Sequence, residues 1–161
     1  MEFKLSNEKK VVGWSYRYIN EKKYVHSSSF PRGKFLYGEH LLGSAKDCVV
    51  VEGFFDVLKV YQTGYQVVGI LGTNCTKVQF VRLINMLPPS VDSRIILFLD
   101  GDTAGSMASK KIYDEYSSLY KIVVVDRLIG QDPSDLTEEQ LNEILSKYSV
   151  GRRDETEGRQ I

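Results

Sequence analysis

Acidic side chains follow two of the short apolar runs in this 161-residue sequence. Glu52 comes directly after residues 48–51, and Asp100 and Asp102 come directly after residues 95–99, with a glycine between them. Short continuous apolar runs are typical of strands that are buried on both faces. Carboxylates at the ends of such strands are poorly solvated and repel one another, and a hard divalent cation with oxygen ligands offsets both effects. The pattern indicates a site for Mg²⁺ or Mn²⁺.

Each acidic motif taken alone also has an ordinary structural explanation. Glutamate-glycine after a strand is usually a turn, and Asp-Gly-Asp also occurs in calcium loops and plain turns. Asp56 can share a helix face with Glu52, four residues earlier, or be a solvated helix position. Asp132 and Asp135 fall in a segment that also fits a turn leading into a helix. The metal interpretation is favoured because Glu52 and the Asp-Gly-Asp triplet follow separate strands of one predicted sheet.

The elements that must position these carboxylates alternate between strands and helices from residue 47 onward. Strands are predicted at 48–51, 67–71, 95–99 and 122–125. Helices are marked by Phe54, Val57, Leu58 and Tyr61, ending at Gly64; by Val78, Val81 and Ile84, ending at Pro88; by Ala104, Ala108, Ile112 and Tyr116; and by Leu141, Ile144, Leu145 and Tyr148 after a Thr137–Gln140 capping box. This alternation predicts an α/β fold with a mostly parallel four-stranded sheet flanked by helices. Ligands of such sheets bind beyond the carboxyl ends of the strands.

The two ends of the chain differ in character from this central part. Alternating β-branched and aromatic residues at 11–19 and 22–26 predict an N-terminal β-hairpin. Residues 151–161 are polar and charged, so we expect a disordered tail. The sequence thus divides into an N-terminal β-rich extension at 1–46, an α/β domain at 47–150 and a tail at 151–161.

Composition limits the classes of protein that need to be considered. Lys+Arg and Asp+Glu both number 21, so a nucleic-acid interface must rest on local basic patches and not on net charge. No apolar run approaches the roughly 18–20 residues that cross a membrane, and the N-terminus has no apolar signal core. We therefore expect a cytoplasmic protein with no membrane contact. Two cysteines, Cys48 and Cys75, and two histidines form no recognisable structural zinc pattern.

Four segments, in order and spacing, resemble the TOPRIM domain of bacterial and phage DnaG-type DNA primases. They are EGFFDV at 52–57, LGT at 71–73, DGDTAG at 100–105 and QDPSD at 131–135. The stretch 30–38 and the pair Lys23-Tyr24 also resemble the segment that precedes this domain in primases, so the extension at 1–46 resembles the end of the primase basic lobe. The similarity covers roughly residues 11 to 145.

The resemblance implies a set of site residues and an activity. Glu52, Asp100 and Asp102 match the family's catalytic metal ligands, with Asp56 and Asp132 as secondary acidic positions and Glu52 alternatively a general base. Ser134 stands where the family often has a second aspartate, and Asp135 follows one residue later. The implied enzyme is a nucleotidyltransferase, a DNA-directed RNA polymerase of primase type. It would use Mg²⁺ or Mn²⁺ to make RNA primers on single-stranded DNA during replication.

The implied substrates and partners are a single-stranded DNA template and ribonucleoside triphosphates, with a replicative helicase or a separate primase subunit as a further partner. Four basic residues near the matching upstream segment are candidates for binding nucleotide or nucleic acid, although each also fits ordinary solvated surface: Arg17, Lys23, Arg32 and Lys34. Trp14 and Tyr16 alternate on one strand and fit either base stacking or the core.

Two other functions fit parts of the same pattern. A TOPRIM-family nuclease fits the length, but the segment before residue 47 and the LGT turn resemble primases. A metal- and nucleotide-binding module without turnover fits a chain that lacks the zinc-binding module and most of the basic lobe of primases. We therefore expect either a fragment of the active enzyme or a compact or split primase. A topoisomerase would need a tyrosine nucleophile on another domain.

Overall fold

The computed structural model describes residues 2–4, 11–18, 24–28, 30–90, 92–126, 130–148 and 151–153. The strands within these residues are β1 (Glu2–Lys4), β2 (Val11–Arg17), β3 (Tyr24–His26), β4 (Asp47–Val51), β5 (Val67–Gly69), β6 (Arg94–Leu97) and β7 (Lys121–Val124). The α-helices are α1 (Phe54–Gln62), α2 (Lys77–Met86), α3 (Thr103–Tyr116) and α4 (Glu138–Lys147). Short 3₁₀ turns lie at Arg32–Lys34, Glu39–Leu41 and Pro133–Asp135.

The α/β fold with a four-stranded sheet is confirmed, and all of its pairings are parallel. The strand order is β5-β4-β6-β7. Because side chains alternate across a strand, Val50 and Ile95 pack on one face with residues of α2 and α3. Val49 and Ile96 pack on the other face with residues of α1 and α4. Burial on both faces explains why these strands read as continuous apolar runs.

The strand order places a topological switch between β4 and β6. The chain passes from β4 to β5 on one side and then crosses to β6 on the other side of β4. Val50 of β4 is in register with Leu97 of β6, so the residues that follow the two strands leave the sheet side by side. Such a switch opens a crevice at the carboxyl edge of the sheet. Glu52 and Asp100 both lie at this edge.

Helix α2 forms where the sequence predicts it but buries a different face. Val78 and Val81, two of its three marker residues, are 55% and 42% exposed, whereas Gln79, Phe80 and Leu83 are buried. Phe80, Leu83 and Leu87 repeat at helical spacing and form the apolar face that packs on the sheet. Gln79 is buried beside this face, and its side-chain amide donates to the carbonyl groups of residues 32, 35 and 70.

The predicted N-terminal hairpin is confirmed as the antiparallel pair β2–β3, while β1, which adds a third strand beside β2, was not predicted. The segment between β3 and β4 is joined to the parallel sheet by reciprocal backbone hydrogen bonds between Tyr37 and Gly69, both 2.9 Å long. Phe54 and Leu71 are buried against partly buried side chains of the N-terminal segment, including Tyr24 and Phe30. These contacts bring the N-terminal sheet to the carboxyl edge of β4 and β5.

The opposite edge of the parallel sheet is held by a buried ion pair that the sequence did not suggest. Arg94 donates to both carboxylate oxygens of Asp47, at 2.8 and 2.7 Å, and to the carbonyl of Tyr148 at 2.9 Å. The Gly151 amide also donates to Asp47. The ion pair therefore links the start of β4 and β6 to the end of α4.

The first three residues of the tail that we expected to be disordered are held against the α/β domain. The Arg153 amide donates to the Gly64 carbonyl at 2.8 Å, and its guanidinium lies 3.6 Å from the centre of the Tyr61 ring. Residues 154–161 lie outside the described part of the chain. Among the described helices, none has the length and apolar character needed to cross a bilayer.

Candidate active site

A cavity of about 310 Å³ lies at the carboxyl edge of β4 and β6, between the parallel sheet and the N-terminal sheet. Five carboxylates line one side of it: Glu52, Asp56, Asp100, Asp132 and Asp135. Two arginines, Arg17 and Arg32, line it from the N-terminal segment, together with Tyr24 and His26. The cavity thus joins acidic groups of the α/β domain to basic groups of the β-rich extension.

Glu52 is fixed at the point where β4 ends. Its side chain is buried, and Oε1 accepts a hydrogen bond of 3.1 Å from the Asp100 backbone amide. Its carbonyl accepts from the Leu71 amide at 2.9 Å, which ties the residue to the loop after β5. Glu52 is therefore linked through its carboxylate to the end of β6 and through its backbone to the loop after β5.

Asp100 has the electrostatic character expected of a cation ligand. Its Oδ1 atom is buried and has no hydrogen-bond partner among the described residues. Burial, followed by the charges of Asp56, Glu52, Asp132 and Asp102, raises the pKa of Asp100 to about 8. An unpartnered buried carboxylate beside other carboxylates is destabilising, and a bound cation would remove the repulsion. The acidic side of the cavity therefore fits Mg²⁺ or Mn²⁺.

Two glycines of the segment 100–105 allow this close packing. A β-carbon on Gly105 would collide with the Asp100 carbonyl and lie 2.8 Å from Oε1 of Glu52. A β-carbon on Gly101 would collide with the backbone of Gln131. Glycine at these two positions is a requirement for bringing the residues after β6 against those after β4 and β7.

Asp102 has a different position from Asp100. It is exposed, caps the start of α3 by accepting a 2.7 Å hydrogen bond from the Gly105 amide, and is not among the residues that line the cavity. Within the described ranges, no three His, Cys, Asp or Glu side chains are already grouped as a metal site. Mg²⁺ commonly takes only one or two carboxylates together with substrate phosphates and water, so a preformed group of three is not required.

Asp56 lines the cavity, but both of its oxygens are engaged with the backbone. Oδ2 accepts from the Gly53 amide at 2.9 Å, and Oδ1 accepts from the Ser134 amide at 3.0 Å. Burial raises the pKa of Asp56, although these hydrogen bonds oppose the shift. Asp56 therefore joins the start of α1 to the 3₁₀ turn Pro133–Asp135. Asp132 and Asp135 line the cavity beside it.

The four basic candidates are not equivalent. Arg17 lines the cavity with its guanidinium 4.4 Å from the centre of the exposed Phe55 ring, and Arg32 lines it beside His26. Lys34 is exposed and is not a lining residue, and Lys23 lies outside the described residues. Trp14 and Tyr16 are exposed, with their ring centres 4.8 Å apart, which excludes the core interpretation.

Several cavity residues were missed from sequence: Tyr24, His26, Phe55 and Leu71. The sequence could have identified Leu71 as a site residue, because it belongs to the LGT motif at 71–73. This turn requires an unusual backbone conformation. Leu71 has a φ of 60°, a left-handed conformation that is uncommon for a residue with a branched side chain. No signal existed for His26, which enters the site through the pairing of β3 with β2.

Comparison with known proteins agrees with these features. The sequence profile of the Toprim domain matches residues 46–126. The DNA primase of Rickettsia bellii is 35% identical over 140 residues, which make up 78% of this chain and 22% of the relative. The chain therefore spans about a quarter or less of the length of such curated primases.

Solved primase structures share the fold. The zinc-binding and RNA polymerase domains of the Aquifex aeolicus primase superpose with a TM-score of 0.70 at 27% identity, covering 95% of this chain and 40% of that one. The RNA polymerase domain of Mycobacterium tuberculosis primase DnaG gives a TM-score of 0.72 at 24% identity, covering 91% and 53%. At that lower identity the second likeness concerns the fold alone.

Proposed function

The chain belongs to the Toprim domain family, and we propose that it is the catalytic, metal-binding core of a DNA primase. The activity would be the template-directed joining of ribonucleotides on single-stranded DNA during replication, a nucleotidyl transfer. Because the chain spans only part of its primase relatives, it would act as a fragment of the active enzyme or together with further subunits. A place in replication also supports a cytoplasmic location.

The observation that carries this proposal is the two-sided character of the cavity. Asp100, with its unpartnered oxygen, and Glu52 lie on one side, and Arg17 and Arg32 line the same cavity from the other domain. A metal-bound triphosphate needs both carboxylates for the cation and guanidinium groups for the phosphate oxygens. Neither side alone would favour a nucleotide over a simple cation or anion.

Each side chain has a defined task in the proposed reaction. Asp100, Glu52 and Asp132 would hold Mg²⁺ or Mn²⁺, which when bound neutralises triphosphate charge and polarises phosphoryl oxygens. Alternatively, Glu52, whose carboxylate accepts from the Asp100 amide, would act as the general base that takes the proton of the attacking hydroxyl. Arg17 and Arg32 would bind and orient phosphate oxygens.

The remaining candidates would act around this centre. Asp56 would keep the 133–135 turn against α1, and so keep Asp132 at the cavity, in addition to any direct role in holding the metal. Asp102 would join the metal ligands only by giving up part of its capping role. Asp135 would take the role of the family's second aspartate, whose place is occupied by Ser134. Lys23 and Lys34 are the further candidates for binding phosphates of the template.

The domain division and the partners form part of the same proposal. Residues 1–46 would be the end of the basic lobe, and residues 47–150 would be the catalytic domain. The tail would begin at 151, with its first three residues held in place. A single-stranded DNA template and ribonucleoside triphosphates are the proposed substrates. A replicative helicase or a separate primase subunit is the proposed partner.

Primer synthesis tests the proposal. The full chain is incubated with end-labelled single-stranded DNA, ribonucleotides and Mg²⁺ or Mn²⁺, in parallel with Glu52→Gln and with Glu138→Gln, an exposed control on α4. The proposal predicts template-directed products from the wild type and the control, and none from Glu52→Gln. Products that persist in Glu52→Gln would contradict the assignment, and shortening of the labelled strand would identify a nuclease instead.

A further inference from the structure

His26 contacts one of the two cavity arginines in a way that fixes its own protonation pattern. Its Nε2 atom lies 3.2 Å from Nη1 of Arg32. A guanidinium has only donor hydrogens, so Nε2 must be the acceptor, and the neutral ring must carry its hydrogen on Nδ1. Nδ1 is buried and has no hydrogen-bond partner among the described residues. The ring therefore leaves one of its own donors unpaired while it binds Arg32.

The surroundings of His26 keep the ring neutral and oriented. Burial, followed by the nearby charge of Arg32, lowers the pKa of His26 below its ordinary value. The ring stacks against Tyr24, with centres 6.3 Å apart and planes 6° apart, and lies 6.1 Å from Phe30. A neutral, oriented imidazole is what an acceptor for a guanidinium requires.

Arg32 is held at its backbone as well. Its carbonyl accepts a 3.1 Å hydrogen bond from the side chain of the buried Gln79, and its amide donates to the Phe30 carbonyl at 2.9 Å. Arginine side chains lose considerable rotamer freedom when they bind a ligand. Gln79 holds the Arg32 backbone and His26 holds its guanidinium. Arg32 therefore loses less conformational entropy when it binds a ligand.

We propose that His26 is a positioning residue that holds the Arg32 guanidinium at the cavity to bind the phosphate oxygens of a metal-bound triphosphate. The inference rests on the proposed nucleotidyl-transfer function. It adds to that function a residue that need not touch the ligand itself and acts through Arg32. Because only the acceptor atom at Nε2 matters, a glutamine at this position should replace it, and an apolar side chain should not.

The test is a calorimetric titration of the full chain with inorganic triphosphate in the presence of Mg²⁺. His26→Leu removes the acceptor, His26→Gln keeps one at a similar distance from the backbone, and Arg32→Ala removes the proposed phosphate ligand. We expect His26→Leu to weaken binding roughly tenfold, as loss of an orienting partner often does, and His26→Gln to restore most of it. In the Arg32→Ala background, His26→Leu should cause no further loss.

Two other results would overturn the inference in distinguishable ways. If His26→Leu binds triphosphate with wild-type affinity while Arg32→Ala binds it more weakly, His26 does not position Arg32. The proposed function would not be affected by that result. Wild-type affinity in Arg32→Ala, or no triphosphate binding by the wild type, would contradict the basic side of the proposed function and the inference with it. Thermal unfolding of each variant would separate misfolding from loss of contact.

A ligand-free measurement tests the geometry directly. In ¹H–¹⁵N spectra of the full chain, His26 should have an unprotonated Nε2 and a protonated Nδ1 at neutral pH. Arg32→Ala should release this preference. A hydrogen on Nε2 in the wild type would overturn the inference whatever the titrations show.

Discussion

The Glu52 carboxylate accepts a hydrogen bond of 3.1 Å from the backbone amide of Asp100, which joins the residues that follow two adjacent parallel strands. One Glu52 oxygen is thereby partly compensated, while Oδ1 of Asp100 stays buried without a partner. The fold thus brings two carboxylates together at the switch point and compensates only part of their charge. That imbalance is the physical reason for expecting a cation here.

The Asp100 carboxyl should make stability fall as pH rises. Its pKa is about 8 in the folded chain, against an ordinary value of 3.8, so between those values the folded state holds a proton that the unfolded state releases. Stability without metal should therefore be highest at the acid end of that window and decline through it. Asp100→Asn should flatten the decline and raise the melting temperature at the alkaline end.

Thermal unfolding in chelator at about pH 5, within this window, and at about pH 9, above it, checks the sign. Asp114→Asn, on the exposed side of α3 and paired with Lys110, serves as the control and should leave the slope unchanged. A decline of equal slope in Asp100→Asn and the wild type would show that another group causes it.

Two variants of Asp102 can distinguish its role as a helix cap from its role as a metal ligand. Asparagine caps helices as well as aspartate, whereas alanine does not, and loss of a cap costs about 1 kcal/mol of stability. Asp102→Asn should therefore keep the free energy of unfolding near that of the wild type, and Asp102→Ala should lower it by about 1 kcal/mol. If Asp102 binds metal, both variants should lose part of the stabilisation that Mn²⁺ gives. Retention of that stabilisation in both would limit Asp102 to capping.

Gly105→Ala should disrupt the site without altering any acidic group. The added methyl group would collide with the Asp100 carbonyl and press on Glu52, so the residues after β4 and β6 must separate. Overpacking of this kind typically costs about 1–3 kcal/mol, and primer synthesis should be lost. Gly151→Ala is the matched control, because its nearest atom would be 3.7 Å away. An active, fully stable Gly105→Ala chain would show that the spacing of Glu52 and Asp100 is not critical.

The ion pair between Asp47 and Arg94, at the start of β4 and β6, should affect the free energy of unfolding and not the chemistry of the cavity. Asp47→Ala would remove the carboxylate that accepts hydrogen bonds from the mostly buried Arg94 side chain and from the Gly151 amide, and removing one partner of a buried pair costs about 3 kcal/mol or more. Asp92→Ala breaks only an exposed pair with Lys46 and should cost less than about 1 kcal/mol. Denaturant unfolding of the two variants gives the comparison. Equal losses would mean that the Asp47 pair is no more important than a surface pair.

The sequence predicted those parts of the fold that depend on local pattern. The apolar runs of β4 and β6 identify a sheet buried on both faces, and the Thr137–Gln140 capping box marks the start of α4. Glu52 and Asp100 could be identified because each immediately follows such a run. Asp102 was harder to assign, because an aspartate at this spacing suits both a metal ligand and a helix cap.

The features that were not predicted depend on contacts between distant parts of the chain. Gln79 of α2 is buried because it donates to carbonyl groups 44 and 47 residues earlier in the chain, and Asp47 meets Arg94 across 47 residues. His26 reaches the cavity because β3 pairs with β2 and Tyr24 of β3 packs against Phe54. No spacing rule within one segment contains this information.

The most direct test of the proposed cation site is a Mn²⁺ titration of the full chain, followed by electron paramagnetic resonance. The wild type is compared with Asp100→Asn and with the exposed control Asp114→Asn. If Asp100 and its neighbours form a cation site, the wild type and the control should bind Mn²⁺ with the same affinity. Asp100→Asn should bind at least about tenfold more weakly, a loss of about 1.4 kcal/mol. Equal Mn²⁺ affinity in Asp100→Asn and the wild type would contradict the site at the switch between β4 and β6, and the nucleotidyl-transfer function proposed from it.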